Sequence, residues 1–108
     1  MPGDVDLYCG YLPLQWVKLI SEHAAPHCAT KAAALIWHRS CIERRGDDLV
    51  ITHARARECV GLTHDSLGRG LDTLQDLDLI TTTRSRGRAI RVSIVDFDQY
   101  KRGGKKFT

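Results

Sequence analysis

The chain has 108 residues, 43% of them hydrophobic and 27% charged, a length and composition that fit one globular domain and exclude a collagen-like or disordered chain. No apolar run approaches the ~18 residues of a membrane-spanning helix. The opening MPGDVDLYCG lacks the basic start and apolar stretch of a secretory signal, so a cytoplasmic location and no membrane partner are expected. The formal charge of +3 is uneven: residues 84–108 hold eight basic groups against two acidic ones, giving +6 and leaving −3 for residues 1–83. A basic end on a mildly acidic body points to a polyanion partner, nucleic acid before membrane.

The periodicity sets a single domain with its core over about 12–95, a loose lead-in at 1–10 and a basic tail at 101–108. Pro13 suits the first turn of a helix. The run PLQWVKLISEHA then places Trp16, Ile20 and Ala24 on one face, flanked by Val17 and Leu19. Ala25 precedes Pro26 and is pushed out of helical geometry, so the first helix runs from about Pro13 to His23. Thr30 is a candidate cap for KAAALIWHRSCIERR, about Lys31 to Arg45. Ala32, Ala33, Leu35, Ile36, Trp37, Cys41 and Ile42 cover more than half of its circumference, the pattern of a central helix. Arg44 and Arg45 suit its C-terminal dipole, and Gly46 stops it.

Next, DLVIT reads as a short strand. Thr52 then caps HARARECV, whose apolar stripe is Ala54, Ala56, Cys59 and Val60, and Gly61 closes this third helix. In LTHDSLGRGLDTLQDLDLI, Thr63 has N-cap chemistry and Asp65 sits near the positive helix end. Leu67, Leu71, Leu74 and Leu77 form one apolar stripe. The opposite face is expected to show His64, Asp65, Ser66, Arg69, Gly70 and Thr73. Gly68 and Gly70 each cost ~1 kcal/mol against alanine in a helix, which packing must outweigh. Ile80–Thr83 and Ile90–Ile94 alternate as half-buried strands, and SRGR between them suits a hairpin loop. The tail docks through Phe97 or Tyr100.

The order is helix, helix, strand, helix, helix, strand, strand, with a tight Gly61–Leu62 connection of the helix-turn-helix kind. An arginine-tipped hairpin follows. This α+β layout is that of a winged helix, with three to four helices and a small antiparallel hairpin wing. A helix of this width enters a DNA major groove, and arginines at a wing tip meet phosphates or a minor groove.

From about Leu12 to Val95 the chain resembles small bacterial winged helix-turn-helix proteins. These include transcriptional regulators of the MarR and GntR kinds and compact proteins of plasmids and integrative elements. The resemblance rests on LPLQWVKLI, KAAALIWH, LVITHARARECVGLTHDSLGRGLDTLQDLDLI and TTRSRGRAIRVSI. The third segment is the most specific: a short helix, a glycine turn, a capped second helix, then Leu-Ile opening the first wing strand. The chain departs from the pattern at Asp78, where glycine is usual, and at Gly68, where a larger residue is common.

The resemblance implies sequence-specific binding of double-stranded DNA, in transcriptional regulation or in control of replication or excision on a mobile element. Carried over by position, His64, Asp65, Ser66, Arg69 and Thr73 on the helix 63–77 face the major groove, with Arg69 as the leading base or phosphate contact. Thr63 both caps and meets a phosphate. Thr52, Arg55 and Arg57 grip the backbone. Arg84, Arg86 and Arg88, in the wing at 84–91, complete the footprint. Paired half-sites would favour a homodimer.

Other chemistries have little support. None of Cys9, Cys28, Cys41 and Cys59 forms a C-x-x-C pair, so all four read as free, mostly buried thiols. His23 and His27, or His38 and Cys41, have no zinc-finger or ribbon spacing, and no metal or other cofactor is expected. With no phosphate-cradling glycine loop, G-x-S-x-G or H-E-x-x-H, an enzyme is not expected. The main alternative is a winged helix used as a protein-interaction module in a larger complex. That alternative draws on Asp65, Asp72, Asp76 and Asp78, and predicts an exposed Trp16 or Trp37 patch with an acidic recognition face, Asp72, Asp76 and Asp78 facing outward beside Arg69. The DNA reading places those three aspartates toward the far end of the helix, away from the groove.

Overall fold

A computed structural model of the chain describes residues 12–23, 26–85 and 87–97. Among the described residues four helices and three strands follow in the expected order: α1 (Leu14–Ser21), α2 (Pro26–Glu43), β1 (Leu49–Ile51), α3 (His53–Val60), α4 (His64–Asp76), β2 (Ile80–Thr83) and β3 (Ile90–Ile94). The class is α+β with a small antiparallel sheet. Among the described residues no helix is long and apolar enough to cross a membrane.

The helix boundaries shift for identifiable reasons. In α1, Pro13 is the cap rather than a helical residue, its carbonyl accepting from Trp16 N (3.0 Å) and Val17 N (3.2 Å). The helix ends at Ser21, two residues before His23. Trp16 and Ile20 are buried as expected, and Ala24 lies outside the described residues. The second helix starts at Pro26, not Lys31, because a proline with fixed φ and no N–H fits a first helical position. Thr30 is therefore an exposed residue inside the helix and not its cap. The helix stops at Glu43, and Arg44 turns left-handed at φ 57°. Gly46 does not terminate it. Gly46 is buried where a Cβ would overlap the Phe97 ring, so its role is close packing.

α2 is the central helix and packs on α1, α3, α4 and β1. Ala29, Ala32, Ala33, Leu35, Ile36 and Trp37 are buried, while Ile42, expected on the apolar face, is exposed. The Trp37 ring makes an edge contact with Trp16 (centroids 5.5 Å, 76°) and stacks on Phe97 (5.7 Å, 30°). Phe97 thus docks the chain after β3 as expected, and Tyr100 lies outside the described residues. The cysteines match expectation in part. Cys28 is free and half-buried, Cys59 is free but exposed, Cys41 is disulfide-bonded, and Cys9 lies outside the described residues.

The strand after α2 joins the hairpin, which the sequence pattern did not show. β3 is the centre of a three-stranded sheet in the order β1-β3-β2, antiparallel on both sides. Leu49 pairs with Val92 on one side, and Thr82 pairs with Val92 on the other. Inward residues Leu49, Ile51, Ile80, Ile90, Val92 and Ile94 close the core against the helices.

Glu43 ties α2 to this sheet. Its Oε2 accepts from Val50 N and Arg39 Nη2, both at 3.2 Å, and its Oε1 accepts from Arg45 Nη2 at 2.8 Å. Burial pushes the carboxyl pKa up, but the Val50 N–H, Arg45 and Arg39 together outweigh it and hold the group below its ordinary 4.5. The unfolded chain binds that proton more readily than the folded one. The stabilisation is therefore present above the unfolded pKa and is lost as pH falls through the depressed folded value. Glu43→Gln is expected to cost about 1.5–3 kcal/mol at neutral pH, the worth of hydrogen bonds to a charged group. The deficit should shrink at about pH 3. Urea unfolding of both proteins at the two pH values checks this, and an undiminished deficit in acid would remove the carboxylate from the account.

Candidate functional site

The site begins with two helix caps. Thr52 Oγ1 accepts from Arg55 N (3.1 Å) at the start of α3, and Thr63 Oγ1 accepts from Ser66 N (3.2 Å) at the start of α4. Both caps were legible in the sequence. Between the helices, Gly61 takes φ 69°, a left-handed conformation that a side chain resists, and its N–H reaches Arg57 O. Leu62 is buried and its N–H reaches Ala56 O. This turn fixes how α4 leaves α3.

The leucine stripe fixes the rotation of α4. Leu67, Leu71 and Leu74 are fully buried and Leu77 is half-buried. At the end of α4, Asp78 occupies the left-handed region at φ 60°, where a glycine is easiest to place. Leu79 N reaching Leu74 O and Val95 N reaching Leu79 O carry the chain into the sheet. Thr82 Oγ1 donates to Gln75 Oε1 (2.7 Å), a further tie between β2 and α4.

What remains of α4 faces an open cleft of about 1030 Å³. One wall is the outer side of α4, with His64, Asp65, Gly68, Arg69 and Asp72. The other is the β2–β3 loop, including Arg84, Ser85 and Arg88, and Thr52 and His53 close one end. Arg69 and Arg88 are exposed and make no ion pair among the described residues. Arg84 is also exposed, but its Nη2 donates to Asp72 Oδ1 at 2.8 Å across the cleft. Three guanidinium groups thus face two carboxylates, Asp65 and Asp72.

The expected site residues divide accordingly. Thr52, His64, Asp65, Arg69, Arg84 and Arg88 line the cleft together. Thr63 is exposed beside it, and the half-buried Ser66 has its hydroxyl engaged by Thr63 (2.9 Å). Arg55 and Arg57 are exposed on α3 and do not line the cleft. Arg86 lies outside the described residues. Thr73 is a correction: it is only 7% exposed and cannot meet a ligand in the cleft. Gly70 is likewise buried and faces α2, where an added Cβ would lie 2.5 Å from Cys28 O. The pattern had placed both on the polar face because small residues carry little hydropathy signal.

Two further residues line the cleft that the sequence pattern does not place there. Its place in the sequence sets Asp72 with Asp76 and Asp78 at the far end of the helix, yet it lines the cleft with Arg69. Its spacing of three from Arg69 and four from Gly68 held the signal. His53 was passed over, and its ring stacks on His64 with centroids 3.9 Å apart and planes 15° apart. Both histidines directly follow a capping threonine, a symmetry visible in the sequence. Desolvation, and then the charge of His64, hold the His53 imidazole below its ordinary pKa. Two further observations bear on the site. Trp16 and Trp37 are buried at 0% and 4% exposure, so neither forms a surface patch. No cluster of three or more His, Cys, Asp or Glu among the described residues has the geometry to hold a metal ion.

Compared with protein-family models, with curated proteins and with solved structures, the chain matches none.

Proposed function

We propose that the protein is a winged helix that binds double-stranded DNA, with α4 entering the major groove and the β2–β3 loop lying along the backbone or in the minor groove. The observation that carries this reading is the open cleft with Arg69 on the helix side and Arg84 and Arg88 on the loop side. A helix with one face exposed beside a cationic loop offers base-edge contacts and phosphate contacts at once. The caps serve the same geometry, because they hold the first turn of α4 at the groove. Regulation of transcription, or control of replication or excision on a mobile element, is the task such binding would serve. A homodimer would read paired half-sites.

Asp72 favours a second reading, a protein-interaction module. Its carboxylate lies in the cleft beside Arg69 and neutralises Arg84. A partner with basic side chains would use Asp65 and Asp72, whereas a duplex would use the arginines. Salt dependence separates the two. DNA binding through ~5 phosphate contacts gives a slope of log affinity against log salt of about −4 to −5. A fluorescence-anisotropy titration with random-sequence duplex at several salt concentrations measures it. Arg88→Ala should weaken binding on every duplex and make the slope shallower by about 0.9. Absence of duplex binding even at low salt would leave the protein-partner reading in place.

A further inference from the structure

His53 and His64 belong to different helices, yet their rings lie nearly parallel at a centroid distance of 3.9 Å at the end of the cleft. Resting on the duplex-binding reading, we propose that this stacked pair is a proton switch: a duplex seated in the cleft drives proton uptake by the pair, so that DNA binds more tightly as pH falls.

Two imidazoles face to face at this distance are compatible as neutral rings, while two imidazolium ions would repel strongly. Each histidine is also the first residue of its helix, next to unpaired N–H groups and the positive end of the dipole, which disfavour a cation. The charged groups around the pair largely cancel. On α4 these are Asp65, Arg69 and Asp72, and on the β2–β3 loop Arg84 and Arg88. Arg55, Arg57 and Glu58 on α3 are exposed and do not line the cleft. With Arg84 held by Asp72, the remaining lining charges are Arg69, Arg88 and Asp65. The local field in the free protein therefore disfavours a cation on His53, in keeping with its depressed pKa.

A duplex reverses this balance. Phosphates beside the pair favour imidazolium, so the complex binds more protons than the free protein. By linkage, affinity rises as pH falls between the ordinary histidine range and the depressed value, and levels off below it. Each proton taken up makes the change about tenfold per pH unit at its steepest. The same protons place positive charge at the end of the cleft where α3 and α4 both begin.

The test is duplex affinity by fluorescence anisotropy at fixed ionic strength, between about pH 8 and about pH 5.5. The comparison is of the full chain with His53→Gln, His64→Gln and, as control, His27→Gln on the exposed face of α2. The slope of log affinity against pH is the readout, so a change in absolute affinity in the variants does not matter. The wild-type protein and the control should share a negative slope, and it should flatten in His53→Gln and His64→Gln. Both variants alter exposed side chains, and a thermal melt checks that they fold. Binding with no pH slope, or a slope that survives both substitutions, overturns the switch while leaving DNA binding intact. No binding at any pH overturns the duplex reading and the switch with it. Proton NMR of the free protein adds an independent readout. The His53 imidazole should titrate below its ordinary range, and an ordinary His53 titration would overturn the proposal.

Discussion

Alanine at Gly70 should destabilise the protein, and alanine at Gly68, two residues earlier on the same helix, should stabilise it. Both substitutions gain the ~1 kcal/mol of helix propensity that separates alanine from glycine. They differ in what the new methyl meets. At Gly70 an ideal Cβ falls 2.5 Å from Cys28 O, 2.9 Å from Cys28 C and 3.0 Å from Ala32 Cβ. Two of those neighbours are backbone atoms of α2, which cannot rotate aside as a side chain can. α4 would have to lift off the central helix, and overpacking of this kind costs about 1–3 kcal/mol before propensity is counted. At Gly68 nothing lies within 4 Å, because the position opens onto the cleft. In a domain of this size ~1 kcal/mol moves the melting temperature by about 4–8 °C, so paired thermal melts resolve the opposite signs. Equal stabilisation at both positions would mean that α4 does not approach α2 through Gly70.

Arg69→Ala and Asp72→Asn should move DNA affinity in opposite directions. Arg69 stands without an ion-pair partner among the described residues on the exposed side of α4. If it grips a guanine edge with two hydrogen bonds, its loss removes about 1–3 kcal/mol of discrimination, and preference between duplexes falls by about 5- to 150-fold. Asp72→Asn takes a negative charge out of the cleft and releases Arg84 from its 2.8 Å pair. Affinity for any duplex should then rise by about fivefold at low salt, the ~1 kcal/mol of one charge pair in water, with a steeper salt slope. Competition binding between a selected and a random duplex measures both effects. Weaker binding of Asp72→Asn would show that the ion pair holds the loop in its binding pose, and would make Asp72 a positioning residue.

Asp72 also shows how a local reading fails. Its place along the helix points to the far end, whereas its angle around the helix turns it into the cleft. The leucine stripe sets that angle: with Leu67, Leu71 and Leu74 inward, Gly68 and Asp72 turn outward together. Gly70 and Thr73 failed in the other direction. Both flank the stripe, and a polar or missing side chain gave no reason to bury them, until α2 closed over that side of the helix.

The order of elements, the two threonine caps, the glycine turn between α3 and α4, and the alternation in β2 and β3 are all legible in the amino-acid order. Each of these follows from short-range physics: period, capping chemistry and backbone preference act within a few residues. The packing of the elements in three dimensions set everything else. It paired β1 with β3, set Gly46 under Phe97 and Gly70 against Cys28, joined Asp72 to Arg84 and stacked His53 on His64. These contacts join residues far apart in the chain or on different elements, and a one-dimensional pattern carries no record of which distant surface will arrive opposite a given side chain.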